Sequence, residues 1–329
     1  MRPRPRIETV RASISADDGI IVVDKPAGFT SHDVVGAMRR LAATRKVGHA
    51  GTLDPMATGV LVLGIGKATR LLRYISGADK SYRATVCLGI ATDSDDADGT
   101  ITERPGCNTI DVADIDREIR QLTGSIEQVP ATVSAIKVNG QRAHALHRAG
   151  KNIQLEARPV TITRFERVSE VRWREYSDST TNVPIAEFEV EVDCSAGTYV
   201  RCLARDLGVQ LGTGGHLRAL RRTRVGHWRI EQAQTIEQLN ALVENGDGEP
   251  AGGALPVISL TDACTRIFDS LELEEGEARA LRYGNATRIQ PRTAANIPIA
   301  ALYEGRVTAL IELRENGYKP LVVFDTNNG

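Results

Sequence analysis

Apolar and polar positions along this chain repeat with two different periods. Residues 19–25, Gly-Ile-Ile-Val-Val-Asp-Lys, form an apolar run that Pro26 stops, and they predict a buried strand. Thr30 or Ser31 then stands where a helix cap is needed. Val34, Val35, Met38 and Leu41 follow it at the spacing of one helix face. A Val/Leu/Ile run bounded by Gly59 and Gly66 predicts a core strand, residues 67–75 a helix, and residues 82–90 another strand. Asp111 opens a helix with Val112, Ile115, Ile119 and Leu122 at helical spacing. Residues 186–193, Ala-Glu-Phe-Glu-Val-Glu-Val-Asp, alternate strictly and predict a strand with one buried face. Residues 197–211 read as helix, with Leu203 and Leu207 inward. The polar stretch 173–184 reads as a surface loop. Strands and helices mix without a regular βαβ period, which favours an α/β or α+β domain with a mixed sheet over a doubly wound one.

The ends differ from the middle. Residues 1–18 are Arg-rich and without an apolar run, and read as a flexible leader. The Gly/Pro-rich polar stretch 246–257 reads as a linker. Beyond it, strand-like runs at 297–302, 307–313 and 320–324 predict a small β-rich unit spanning 258–329. The chain of 329 residues thus divides into a large unit, residues 19–245, and a small one.

Net charge is −1, from 41 Lys+Arg and 42 Asp+Glu, which argues mildly against a nucleic-acid binder. The distribution argues the other way. Basic residues gather before Arg83 and again at Arg218, Arg221, Arg222, Arg224 and Arg229, while acids gather at residues 93–98 and 272–277. Segregated charge can fold into one basic face that meets phosphates. The five cysteines are odd in number and lack a C-x-x-C, so neither a disulfide framework nor a zinc site is expected, and the cytosol is the expected compartment. No apolar run approaches a membrane span.

The stretch most suited to chemistry is Lys46-Val-Gly-His-Ala-Gly-Thr-Leu-Asp-Pro-Met-Ala-Thr-Gly59. Glycines and a proline bracket His49 and Asp54 just before a core strand. Glycine lets the backbone turn sharply and lets a ligand come close, so the loop can project the Asp54 carboxylate into a cleft. A lone Asp-Pro turn is ordinarily only a turn.

The run Gly48-His-Ala-Gly-Thr-Leu-Asp-Pro-Met-Ala-Thr-Gly59 resembles the signature of the TruB family of tRNA pseudouridine synthases. Further matches come in the family's order: Asp24-Lys-Pro-Ala-Gly-Phe-Thr-Ser31, Lys80-Ser-Tyr82, Thr92-Asp-Ser-Asp-Asp-Ala-Asp-Gly99, Cys194-Ser-Ala-Gly-Thr-Tyr-Val-Arg201 and Leu220-Arg-Arg-Thr223. The resemblance is dense over residues 19–245. Beyond the linker it is weaker and points to a PUA-like RNA-binding appendix. It implies a mixed α/β catalytic domain on a largely antiparallel sheet. The implied activity is conversion of uridine 55 in the tRNA T-loop to pseudouridine, with no cofactor and no metal. Asp54 is implied as nucleophile, with Arg201 holding it ionised. Tyr82 is implied to stack on a flipped-out base and to be a candidate for the proton transfer at C5. His49, Tyr199 and Leu220 are implied to shape the pocket, and Lys25 and Lys137 to bind RNA.

Taken singly, each of these residues has an ordinary explanation: Tyr82 as strand packing, Arg201 as a surface pair, His49 as a loop histidine. Their joint order around Asp54 is what overturns it. Residues 130–150 resemble an RNA-gripping thumb, expected over about 128–152, but Val133 and His144 stand where the family often has tyrosines. The acidic stretch 92–99 fails as a calcium loop, because aligning Gly99 puts Pro105 at the last ligand position. His144 and His147 lack further ligands for a metal set. Two rivals remain: a non-catalytic tRNA-binding or tRNA-folding protein, and a relative working on ribosomal RNA within a guide-RNA particle. The intact Asp54, Tyr82 and Arg201 set favours an enzyme, and the short C-terminal unit favours a stand-alone one. A monomer whose partner is tRNA is the expected form.

Overall fold

The computed structural model describes residues 6–131, 137–138, 141–142, 155–177, 181–244, 254–287, 297–314 and 317–324. Its first half builds β1 (Gly19–Lys25), α1 (Ser31–Leu41), β2 (Val47–Ala50), β3 (Thr58–Ile65), α2 (Leu72–Ser76), β4 (Lys80–Leu88), β5 (Ala91–Thr92), β6 (Ile101–Glu103), α3 (Val112–Gln121), β7 (Gly124–Gln128), β8 (Lys137–Val138) and β9 (Gln141–Arg142). There follow β10 (Arg158–Arg167), β11 (Arg172–Ser177), β12 (Asn182–Cys194), α4 (Val200–Gln210), β13 (Gly215–Val225), β14 (Trp228–Arg229) and α5 (Ile236–Val243). The last part holds β15 (Ile258–Ser259), α6 (Leu260–Ile267), β16 (Ser270–Glu272), α7 (Glu275–Arg282), β17 (Ile299–Tyr303), β18 (Arg306–Arg314) and β19 (Gly317–Val323).

Among the described residues the main sheet has eleven strands, with β15-β1-β3-β13-β4-β12-β10-β7 as its path and β2, β11 and β14 on its flanks. Its pairings are antiparallel except where β13 runs beside β3, at Arg221–Thr58 and Arg222–Gly59. That contact is close. A Cβ on Gly59, whose φ is +98°, would lie 2.2 Å from the Arg222 carbonyl oxygen, so only glycine fits. Helices α1 and α5 cover one face through Val34, Met38, Leu41 and Leu239, packed on Val23 and Leu63. Ile115 and Ile119 of α3 and Leu203 and Leu207 of α4 pack with Tyr82, Val86 and Phe188. The α/β class with a mixed, largely antiparallel sheet is as the sequence predicts.

Several local expectations are corrected. Residues 66–71 form a tight 3-10 turn before a short α2 instead of one helix, with Gly66 at φ +59° and the Thr69 hydroxyl bonded back to its carbonyl. Val112 is exposed, because it lies at the first turn of α3, before the helix reaches the sheet. The described part of the stretch 173–184 is mostly strand, not loop. Residues Arg172–Ser177 pair with β12, and their polarity suits an edge strand that meets solvent. The C-terminal unit carries two eight-residue helices beside its four-stranded sheet. They are too short and polar to show a clear period, yet Ser259 caps the first and a Glu274/Glu277 capping box opens the second.

Residues 7–16 lie along α1 and α5. Val10 N–H donates to the Asn240 amide oxygen at 2.9 Å, and Ala12 N–H to the Arg40 carbonyl at 3.1 Å. The stretch expected as linker falls mostly outside the described residues. Past it, Ser259 and Ile258 pair with Gly19 and Ile20 and so extend the main sheet. No described helix is long and apolar enough to cross a membrane.

Candidate active site

The loop between β2 and β3 is fixed from three sides. The Ser31 hydroxyl, at the start of α1, accepts from Leu53 N–H at 2.9 Å and donates to the Leu53 carbonyl at 3.1 Å. The Pro55 carbonyl accepts from Gly28 N–H at 2.8 Å. Arg222, 1% exposed on β13, donates from Nη2 to the Gly51 carbonyl at 2.9 Å and from Nε to the Val60 carbonyl at 2.8 Å. Ala57 N–H closes the turn onto the Asp54 carbonyl at 3.1 Å. With the backbone held, the Asp54 side chain projects outward, 40% exposed.

Arg201 on the first turn of α4 meets it. Its Nε lies 3.1 Å from Asp54 Oδ2, and its Nη1 lies 3.0 Å from Asp96 Oδ2 and 2.8 Å from the Ser94 carbonyl. The guanidinium is buried between two carboxylates. Burial works against its charge, but Asp54 and Asp96 outweigh that, and its pKa is raised. Asp96 is itself held, by the Ser94 hydroxyl at 2.5 Å and Asp98 N–H at 3.1 Å. Close helix-to-strand packing carries α4 into place: a Cβ on Gly208 would lie 2.2 Å from the Gly214 carbonyl carbon.

Asp54, Tyr82, Tyr199, Arg201 and Leu220 line one cleft of about 270 Å³, together with Lys80 and Arg222. Burial pushes the Asp54 carboxyl above the usual range. Arg201 opposes that shift, Asp96 adds to it, and Lys25 and Arg222 oppose it again. Burial also raises the Tyr82 phenol, against the pull of Arg222, so Tyr82 stands in the cleft as a neutral hydroxyl beside a cation. Lys80 donates to the Ser76 and Ala78 carbonyls at 2.9 and 2.6 Å, and burial lowers its pKa to about 8.

Two sequence-expected residues are not among those lining the cleft, and the side chain of a third is not described. Lys25 has no exposure, and its ammonium donates to the carbonyls of Pro26, Phe29 and Pro55 at 2.8, 2.6 and 3.2 Å. Burial lowers its pKa to about 8 in spite of Asp54. With its donors taken by the backbone it pegs the Asp54 loop. His49 on β2 is not among the residues lining the cleft. Its Nδ1 is buried without a hydrogen-bond partner, and burial, then Arg222 and His32, lower its pKa. Lys137 belongs to β8, and its side chain lies outside the described residues, as do Val133, His144 and His147.

Sequence reasoning assigned no role to Asp96, Lys80 or Arg222, although each sits in a motif that carried the resemblance. Residues 93–98 hold four aspartates, and nothing in their order tells which one turns toward Arg201.

The TruB family pseudouridylate synthase N-terminal domain matches residues 39–200, and the tRNA pseudouridylate synthase B C-terminal domain matches residues 201–258. The chain is 47% identical over 317 residues to tRNA pseudouridine synthase B of Arthrobacter sp. (strain FB24), covering 94% of this chain and 97% of that one. It is 48% identical over 307 residues to the protein of the same name from Thermobifida fusca, covering 93% and 98%. Among solved structures, a chain of an H/ACA ribonucleoprotein bound to a substrate RNA containing 2'-deoxyuridine matches with a TM-score of 0.68 at 21% identity, covering 94% of this chain and 86% of that one. An archaeal box H/ACA Nop10-Cbf5 complex gives 0.66 at 20% identity, covering 99% and 98%, and these two likenesses bear on the fold alone. On the family match and the identity to these relatives, the chain belongs to the TruB family of pseudouridylate synthases.

Proposed function

We propose that this protein isomerises a uridine of tRNA to pseudouridine, at position 55 of the T-loop, with Asp54 as nucleophile. The observation that carries the reading is the Asp54 carboxylate, open to a cleft and bound on its inner side to a buried arginine 3.1 Å away. The target nucleotide leaves its stack and enters beside Tyr82, Tyr199 and Leu220. Asp54 attacks the nucleotide at C1′ or at C6. The C1′–N1 bond breaks with its electron pair going to N1, the base turns, and C5 bonds to C1′ as the carboxylate is released. The proton on C5 departs, N1 takes up a proton, and the net change is an isomerisation without redox chemistry. Arg201 orients Asp54 and favours its charged form. Tyr82 gives the base a face to stack on, and its hydroxyl, next to Arg222, is the candidate relay for the C5 proton, taking that proton up as it gives its own to water.

The protein acts as a monomer in the cytosol, with residues 258–329 as an added RNA-binding unit. The test is tritium release from C5-labelled uridine in an unmodified tRNA transcript. Wild type releases tritium, and Asp54→Ala releases none above background. Binding of the transcript without release by the wild type would replace this reading with that of a tRNA-binding protein.

A further inference from the structure

Strand β7 ends at Gln128, which is 1% exposed. Both hydrogen bonds of its amide go to the backbone of one residue. Tyr199 N–H donates to Gln128 Oε1 at 2.8 Å, and Gln128 Nε2 donates to the Tyr199 carbonyl at 3.1 Å. Tyr199 is the N-cap of α4, and no side-chain cap of its own closes that helix. Its side chain lines the cleft, and Arg201 follows two residues later. Gln128 does not line the cleft, so any effect it has on chemistry passes through Tyr199.

The next residue makes a second tie to the same helix. The Val129 carbonyl accepts from Arg205 Nη2 at 2.7 Å, and Arg205 Nη1 lies 3.1 Å from Asp95 Oδ2. The end of β7 is therefore joined to the start of α4, and through Arg205 to the loop that carries Asp96. A buried amide with both partners on one backbone unit fixes where that unit sits. An apolar side chain of equal volume would fill the space without fixing it.

We propose that Gln128 is a positioning residue: its clamp on Tyr199 sets the start of α4 and thereby holds Tyr199 and Arg201 in register with Asp54. The proposal rests on the cleft being the catalytic site.

Gln128→Met keeps the volume and removes both hydrogen bonds. Gln128→Glu keeps the shape and the acceptor but places a carboxylate oxygen against the Tyr199 carbonyl. For each, the turnover rate on the tRNA transcript and the dissociation constant for it are measured below the variant's melting temperature and normalised to folded protein. Misplacement by about 1 Å is enough to slow a positioned reaction roughly 100-fold, so kcat is expected to fall roughly 10- to 100-fold in both variants. The dissociation constant stays within about twofold, because affinity for RNA is spread over many phosphate contacts. A folded variant with kcat within about twofold of wild type overturns the proposal, and so does a loss confined to binding. If Gln128→Met does not fold, Gln128→Glu decides alone. A wild type that releases no tritium overturns the catalytic reading itself, whereas an active wild type beside active variants overturns only the role of Gln128.

Discussion

Asp54 sits between opposed influences. Burial and Asp96 favour its neutral form, and Arg201, Lys25 and Arg222 favour the carboxylate. The net direction is upward, so the nucleophile takes up its proton at a higher pH than an ordinary carboxyl does. Turnover then falls as pH drops through that raised value and is full above it. Asp96→Asn removes one of the two raising influences, so the acid limb of the kcat profile should move to lower pH. The plateau should drop at the same time, because Arg201 loses a partner 3.0 Å away. A limb that stays in place or moves upward would show that Asp96 does not act on Asp54 electrostatically. Tyr82 permits a separate test. Tyr82→Phe keeps the ring and removes the hydroxyl, so tRNA binding should hold while tritium release slows by roughly 100-fold or more, the usual worth of a general base. Unchanged release would leave Tyr82 with stacking alone. These residues differ in how legible they are. Asp54 stands out by its frame of glycines and proline, whereas nothing around Lys25 in the sequence shows that its ammonium is tied to the carbonyls of Pro26, Phe29 and Pro55. One chain does not record where a lysine's donors go.

The elements were legible where a period ran long enough to declare itself. The β1 run, the capped α1 and the strict alternation of β12 are each written in the sequence, and their burial follows it. Thr30 proves to be the α1 cap, with Asp33 completing the capping box. Reading failed where tertiary pairing overrode local pattern. The strand Arg172–Ser177 carries charged residues on both faces, and only its ladder to β12 makes it a strand. The junction of β13 with β3 is equally invisible locally, since a short parallel contact leaves no period. Yet that junction brings Arg222 to the Asp54 loop. The Gln128 clamp belongs to the same class of feature, a long-range contact made by a residue that is unremarkable in its own strand.

At the scale of the whole molecule, charge and core both depart from a simple division. The second basic cluster is largely spent on the protein: Arg222 is buried, Arg221 binds Asp24 through Nη1 and Nη2 at 3.0 and 2.6 Å, and Arg218 lies 3.0 Å from Glu187. Arg45, Lys46, Lys67, Arg70 and Arg73 instead stand exposed along β2, the 3-10 turn and α2, while Asp95 and Asp96 turn inward. A near-neutral chain thus keeps a group of surface cations beside the element that ends at Ser76, on the cleft wall. The core also crosses the expected boundary. Leu310 and Phe324 of the C-terminal unit pack with Ile20, Val22 and Trp228 of the main sheet in one buried cluster. Phe324 is 1% exposed, and its N–H bonds to the Thr308 carbonyl at 2.8 Å. Phe324→Ala should therefore cost about 3–5 kcal/mol, the usual range for emptying a buried phenylalanine site. Because the cluster is shared, calorimetry should show the whole molecule melting at a lower temperature in one transition. A separate early transition carrying only a small part of the enthalpy would mean that the two units unfold independently and that the shared cluster does not couple them.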